Sequence, residues 1–97
     1  MTDTSLPLVY RDDTSEWANL EPGEFCYRRD ADGRPKWLNF WPRDSRCPLS
    51  AAIAPQRNGL GASWTLSGTE ECPTLSPSVD AKGEWHGFLT DGVARSV

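Results

Sequence analysis

Residues 85–97 read WHGFLTDGVARSV. Asp91-Gly92 is a dipeptide that closes a two-residue hairpin, because both central residues of such a turn need positive φ. With the turn placed there, strand alternation puts Trp85, Gly87 and Leu89 on one face and His86, Phe88 and Thr90 on the other. The segment therefore predicts a closing β-hairpin. Working back from it, the chain is punctuated in the same manner. Asp80-Ala81-Lys82-Gly83 reads as a turn, and Ala62–Leu66 as a strand led by Trp64. Pro73–Val79 (PTLSPSV) holds two prolines, which lack the N–H a central strand must donate, so it predicts an extended edge segment.

Further upstream, Glu24–Arg28 alternates, Asp30-Ala31-Asp32-Gly33 turns, and Lys36–Trp41 returns. Pro42–Pro48 is a polar loop carrying Cys47, Ser50–Ala54 a short apolar strand, and Asn58-Gly59-Leu60-Gly61 another turn. Turn signals recurring roughly every 8–12 residues are the rhythm of a small all-β sandwich or barrel. Leu6–Tyr10 reads as a short strand with Pro7 at an edge. Asp13 followed by Glu16 resembles a capping box and predicts a short helix over Thr14–Leu20, with Trp17 and Leu20 on one face, ended by Glu21-Pro22-Gly23. The expected architecture is one mainly antiparallel β domain over residues 1–97. Residues 1–23 would supply a strand and the one helix, and 24–97 a β-meander core.

Composition narrows the function classes. The chain of 97 residues is 37% hydrophobic, and its five tryptophans make a core of a few large rings more plausible than a wide aliphatic one. Fourteen acidic against ten basic residues give a net charge of −4, which argues against non-specific nucleic-acid binding driven by phosphate neutralisation. No apolar run approaches the roughly 18 residues of a spanning helix. The N-terminal MTDTSLPLVYRDD has no signal-peptide pattern, so a soluble, cytoplasmic protein is expected. Cys26, Cys47 and Cys72 cannot all pair within one chain, which suggests reduced thiols.

Three strings can be set against a known pattern: Trp64-Thr65-Leu66-Ser67-Gly68, Pro73-Thr74-Leu75-Ser76-Pro77-Ser78-Val79, and His86-Gly87-Phe88-Leu89-Thr90-Asp91-Gly92. Together they resemble a family of small, mostly phage-encoded proteins of unknown function, some of them misnamed ammonia monooxygenase. The likeness extends back to Leu20-Glu21-Pro22-Gly23. It implies a phage or prophage origin. Many relatives carry clustered cysteines in the equivalent of the Pro42–Pro48 loop and a Cys-His pair at the final hairpin, a set that resembles a zinc site. Here Cys47 and His86 match, but Ser50 and Trp85 stand where further thiolates would be. The expectation is a degenerate site with no metal and no cofactor. Trp85 would fill the vacated space, buried beside Cys47 or Pro48.

Nucleophilic catalysis has little sequence support. The chain has one histidine and no GxSxG elbow, and no residue identifies itself as oxyanion donor or orienting acid for a Cys47–His86 pair. No catalytic residue is therefore assigned. Trp37 and Trp41 lie four apart on one predicted strand and, with Arg34 and Arg43, have the composition of an interface hot spot. These features point to a small non-enzymatic module, phage-made, that binds a host or phage protein and inhibits it. Two alternatives stand beside it: a degenerate zinc-binding structural module, and a virion or assembly component acting through oligomerisation.

Overall fold

The computed structural model describes residues 5–97, with side chains from Pro7 onward. The part of the N-terminal reading that falls on residues 1–4 lies outside them. Among the described residues ten strands form two four-stranded sheets and a two-stranded ribbon. The first sheet runs, in spatial order, β2 (Val9–Tyr10), β3 (Glu24–Arg29), β4 (Pro35–Phe40) and β5 (Leu49–Ala52). The second runs β1 (Ser5–Pro7), β10 (Val93–Ser96), β9 (Trp85–Thr90) and β8 (Val79–Ala81). The ribbon joins β6 (Thr65–Gly68) to β7 (Pro73–Ser76). Pairing is antiparallel except between β2 and β3. The expected mainly-β character is present, and no barrel closes.

The core follows from alternation. Phe25 and Tyr27 of β3, Leu38 and Phe40 of β4, and Leu49 and Ala51 of β5 share one face by register and are all buried. They meet Val79, Trp85, Leu89 and Ala94 of the second sheet in a single apolar cluster that also takes in Leu8, Ile53, Trp64 and Leu75. Large rings do much of the filling, as a chain poor in aliphatics requires. Phe40 meets Trp85 edge-on at 5.8 Å between centroids, and Tyr10, Phe25 and Tyr27 form a second aromatic group. The closing hairpin has the predicted form: Asp91 (φ 50°) and Gly92 (φ 77°) make the turn, and β9 alternates buried and exposed from Trp85 to Thr90.

Three local expectations are corrected. The helix over Thr14–Leu20 is only a 3₁₀ turn at Trp17–Asn19. Asp13 does not cap it, because both of its carboxylate oxygens are taken by Arg11, at 2.7 and 2.9 Å. The Thr14 hydroxyl accepts from the Glu16 N–H and the Asn19 side chain instead, and Glu16 is extended. Trp17 is exposed and Leu20 buried, so they do not share a face. The Leu6–Tyr10 segment does not stay in one sheet: it leaves β1, buries Leu8, and enters the other sheet as β2. Finally, Asp80 and Ala81 are strand, not turn, and this places a carboxylate on the sheet surface next to the histidine.

Candidate active site

The β8–β9 hairpin is short and rigid. Its loop closes where the Glu84 N–H donates to the Ala81 carbonyl at 2.8 Å, with Gly83 at φ 80°. The register pairs Val79 with Gly87, Asp80 with His86 and Ala81 with Trp85. Val79, Gly87 and Trp85 point into the core, so Asp80, His86 and Phe88 are left on the outer face. Ser78 precedes β8, follows the cis Ser76–Pro77 bond, and lies two residues from Asp80, hence on that same face. Its backbone is pinned from the other side, where the Trp64 indole N–H donates to the Ser78 carbonyl at 3.1 Å.

This arrangement brings the Ser78 hydroxyl to 3.4 Å from Nε2 of His86. His86 is the one histidine of the chain, so no second serine–imidazole pair can exist. Other serines with side-chain partners are occupied elsewhere. Ser50 donates to Asn39 Oδ1 at 2.5 Å, Ser45 to the Cys47 carbonyl, Ser63 to the Gln56 carbonyl, and Ser96 to Asp44. Asp80 faces His86 across the ladder, where cross-strand Cβ atoms sit about 4.5–5.5 Å apart. Gly87, between His86 and Phe88, admits no side chain: a Cβ there would lie 2.2 Å from the Arg95 carbonyl and 2.6 Å from the Trp85 ring. Beside His86, Phe88 is about half exposed and lines a shallow depression with Thr90, Asp91, Val93 and Arg95.

The residues singled out from sequence are scattered by comparison. Cys47 sits 3.7 Å from a Glu84 carboxylate oxygen, while His86 projects from the opposite side of its strand toward Ser78. Among the described residues no three His, Cys, Asp or Glu side chains are grouped as metal ligands. Cys26 is fully buried, and burial pushes its thiol pKa up; Cys72 is exposed. Trp85 is buried as expected, and its indole N–H donates to Asp44 at 2.9 Å. The proposed interface set is divided between the two ends of β4. Arg34 lies at the β3–β4 turn, where its N–H donates to Asp30. Trp41 donates its indole N–H to the Ser45 carbonyl at 2.9 Å, and the Arg43 guanidinium lies over Gly23. Trp37 lines a separate depression with Trp17, Arg28 and Asn39.

Ser78 was hidden in the PTLSPSV string, where the prolines invite a purely structural reading. The available signal was the combination of a lone histidine and a serine placed to meet it across one tight hairpin. A serine hydroxyl beside an imidazole, with a carboxylate at the imidazole's register partner, is an arrangement that serine hydrolases also use. In agreement, residues 10–97 match the family model described as bacterial ubiquitination-like system serine protease (BubE), and the chain belongs to that family. No curated protein and no solved structure matches.

The family match overturns the functional expectation. A chain in a family of serine proteases from a bacterial ubiquitination-like system is not a phage-encoded inhibitor, and the non-enzymatic assignment falls with it. The error was physical in origin. No local motif marks Ser78 or His86, whose approach is set by strand register. No helix among the described residues is long and apolar enough to cross a membrane.

Proposed function

We propose that this chain is a serine-type peptidase in which Ser78 is the nucleophile and His86 the general base, acting on a protein of the ubiquitination-like system its family is named for. The observation that carries this reading is the 3.4 Å approach of Ser78 Oγ to the chain's lone imidazole. That separation is slightly longer than a tight hydrogen bond, as is common before substrate binds. With its proton on Nδ1, His86 accepts the Ser78 hydroxyl proton at Nε2 as Oγ attacks the scissile carbonyl. The imidazolium then returns that proton to the leaving amine, and an acyl-serine remains. Water, deprotonated by the same imidazole, hydrolyses the ester and restores the hydroxyl. We assign the orienting role toward Nδ1–H to Asp80, the register partner of His86.

Both Ser78 and His86 lie outside the packed core, so their removal should leave the fold intact. Ser78→Ala and His86→Ala are each expected to lower hydrolysis of a protein substrate by about a thousandfold or more. A fluorophosphonate should modify the wild type on Ser78 and leave Ser78→Ala unlabelled. Full activity in well-folded Ser78→Ala would sink the assignment.

A further inference from the structure

We infer that the free edge of β8 binds the substrate as an added strand, so that this peptidase takes an extended, unstructured peptide segment and not a folded surface; the inference rests on Ser78 being the nucleophile. Among the described residues β8 is an edge strand, with β9 on one side and no strand on the other. The Val97 N–H donates to the His86 carbonyl at 2.9 Å, so the His86 backbone faces β10. In an antiparallel ladder a residue whose backbone groups face away from its partner belongs to a non-hydrogen-bonded pair. Asp80, the partner of His86, therefore directs its own N–H and C=O away from β9, to the open edge. Ser78, two residues earlier, directs its carbonyl the same way, and there the Trp64 indole already occupies it. The Asp80 N–H and C=O thus face the edge of the sheet, two residues from Ser78.

The surroundings fit a peptide strand. A groove of about 300 Å³ runs along this edge between β8 and β5, the latter an edge strand of the other sheet. Leu49, Trp64, Val79 and Leu60 give it apolar walls. Leu60 is 95% exposed at the tip of a loop held by the Asn58 side chain, which accepts from the Leu60 and Ala62 N–H groups at 2.8 and 2.9 Å. An exposed leucine on a braced loop beside an unpaired strand edge supplies the side-chain contact, and the edge supplies main-chain hydrogen bonds. A chain paired at Asp80 passes one strand spacing, about 4.8 Å, from β8 and reaches Ser78 in extended form. Trp64 ends the pairing at Ser78, so the substrate is held on one side of its scissile bond.

Two probes separate this inference from the assignment of Ser78. A small fluorophosphonate needs only the nucleophile, whereas a mixture of unstructured synthetic peptides needs the groove. Leu60→Asp should lower peptide cleavage at least tenfold and leave the rate of Ser78 phosphonylation unchanged. In Ser78→Ala incubated with the same peptides, the Asp80 amide should exchange with deuterium more slowly. Absence of phosphonylation in the wild type would overturn the Ser78 reading. Normal phosphonylation with undiminished peptide cleavage in Leu60→Asp, or with an unprotected Asp80 amide, would overturn the strand-addition inference alone.

Discussion

The outer faces of the two sheets are built from the same alternation yet differ in how far they are covered. On the first sheet Cys26 and Asn39 fall on the outer face by register, and both are buried. The segment around Ser15–Asn19 lies over them: Asn39 donates to the Ser15 carbonyl at 3.2 Å and accepts from Ser50 at 2.5 Å. On the second sheet His86, Phe88 and Thr90 are exposed. A covered face must satisfy every polar group it buries and so adds to stability. An open face leaves its side chains accessible to solvent. Both sheets contribute to the one core, and the difference lies in what covers their outer faces.

The exposure of the second sheet's outer face is tested most severely by comparing one residue type in the core and on that face. Phe40 is fully buried and packs edge-on against Trp85, whereas Phe88 is 49% exposed beside His86. Phe40→Ala should cost about 3–5 kcal/mol, enough to unfold much of a marginal domain, through lost burial and a cavity. Phe88→Ala should change stability by no more than about 0.5 kcal/mol. Urea unfolding of both variants checks this. Equal losses would mean that the second face is covered in solution, and the comparison would break.

A smaller effect sharpens the description of the covered face. Asn39→Ala removes the partner of the Ser50 hydroxyl and of the Ser15 carbonyl together. Leaving such groups unpaired costs about 1–3 kcal/mol. Deuterium uptake should also rise across residues 14–19, which Asn39 ties to the sheet. Loss of stability with no change in that segment would show that the roof is held by other contacts.

Much of the fold was legible because its signals are local. Asp91-Gly92 fixed the last hairpin, and apolar alternation located β3, β4 and β9 within a residue or two. What failed depended on competition between partners. A cap was read at Asp13 because sequence does not reveal that Arg11 takes the carboxylate. The switch of the N-terminal strand between sheets turns on one buried leucine, Leu8, which carries no signal of its own. The Ser78–His86 approach was missed for a related reason. Ser78 and His86 are eight positions apart, and only the register Asp80 to His86 places them together. Reading Asp80–Gly83 as a turn moved the strand start and with it the serine.

The smallest effect belongs to Tyr27, on the inner side of the covered sheet. Its hydroxyl donates to the Glu70 carbonyl at 2.7 Å, and Arg29 pairs with the Glu70 carboxylate at 2.8 Å, fastening the β6–β7 loop to β3. Burial, and then the nearby Glu70 charge, hold the Tyr27 phenol well above the ordinary tyrosine pKa. An unfolded tyrosine ionises near pH 10, so below that value both states keep the proton and Tyr27 adds no pH dependence. Above it the unfolded chain releases a proton that the folded one retains, and stability falls as pH rises. Tyr27→Phe should cost about 0.5–1.5 kcal/mol at neutral pH for the lost hydrogen bond and should flatten the decline above about pH 10. Urea midpoints of wild type and variant from neutral to alkaline pH measure both quantities. An unchanged alkaline slope in Tyr27→Phe would assign the titration to a group outside this loop clasp, and the covered sheet would lose its claim to the molecule's pH-dependent stability.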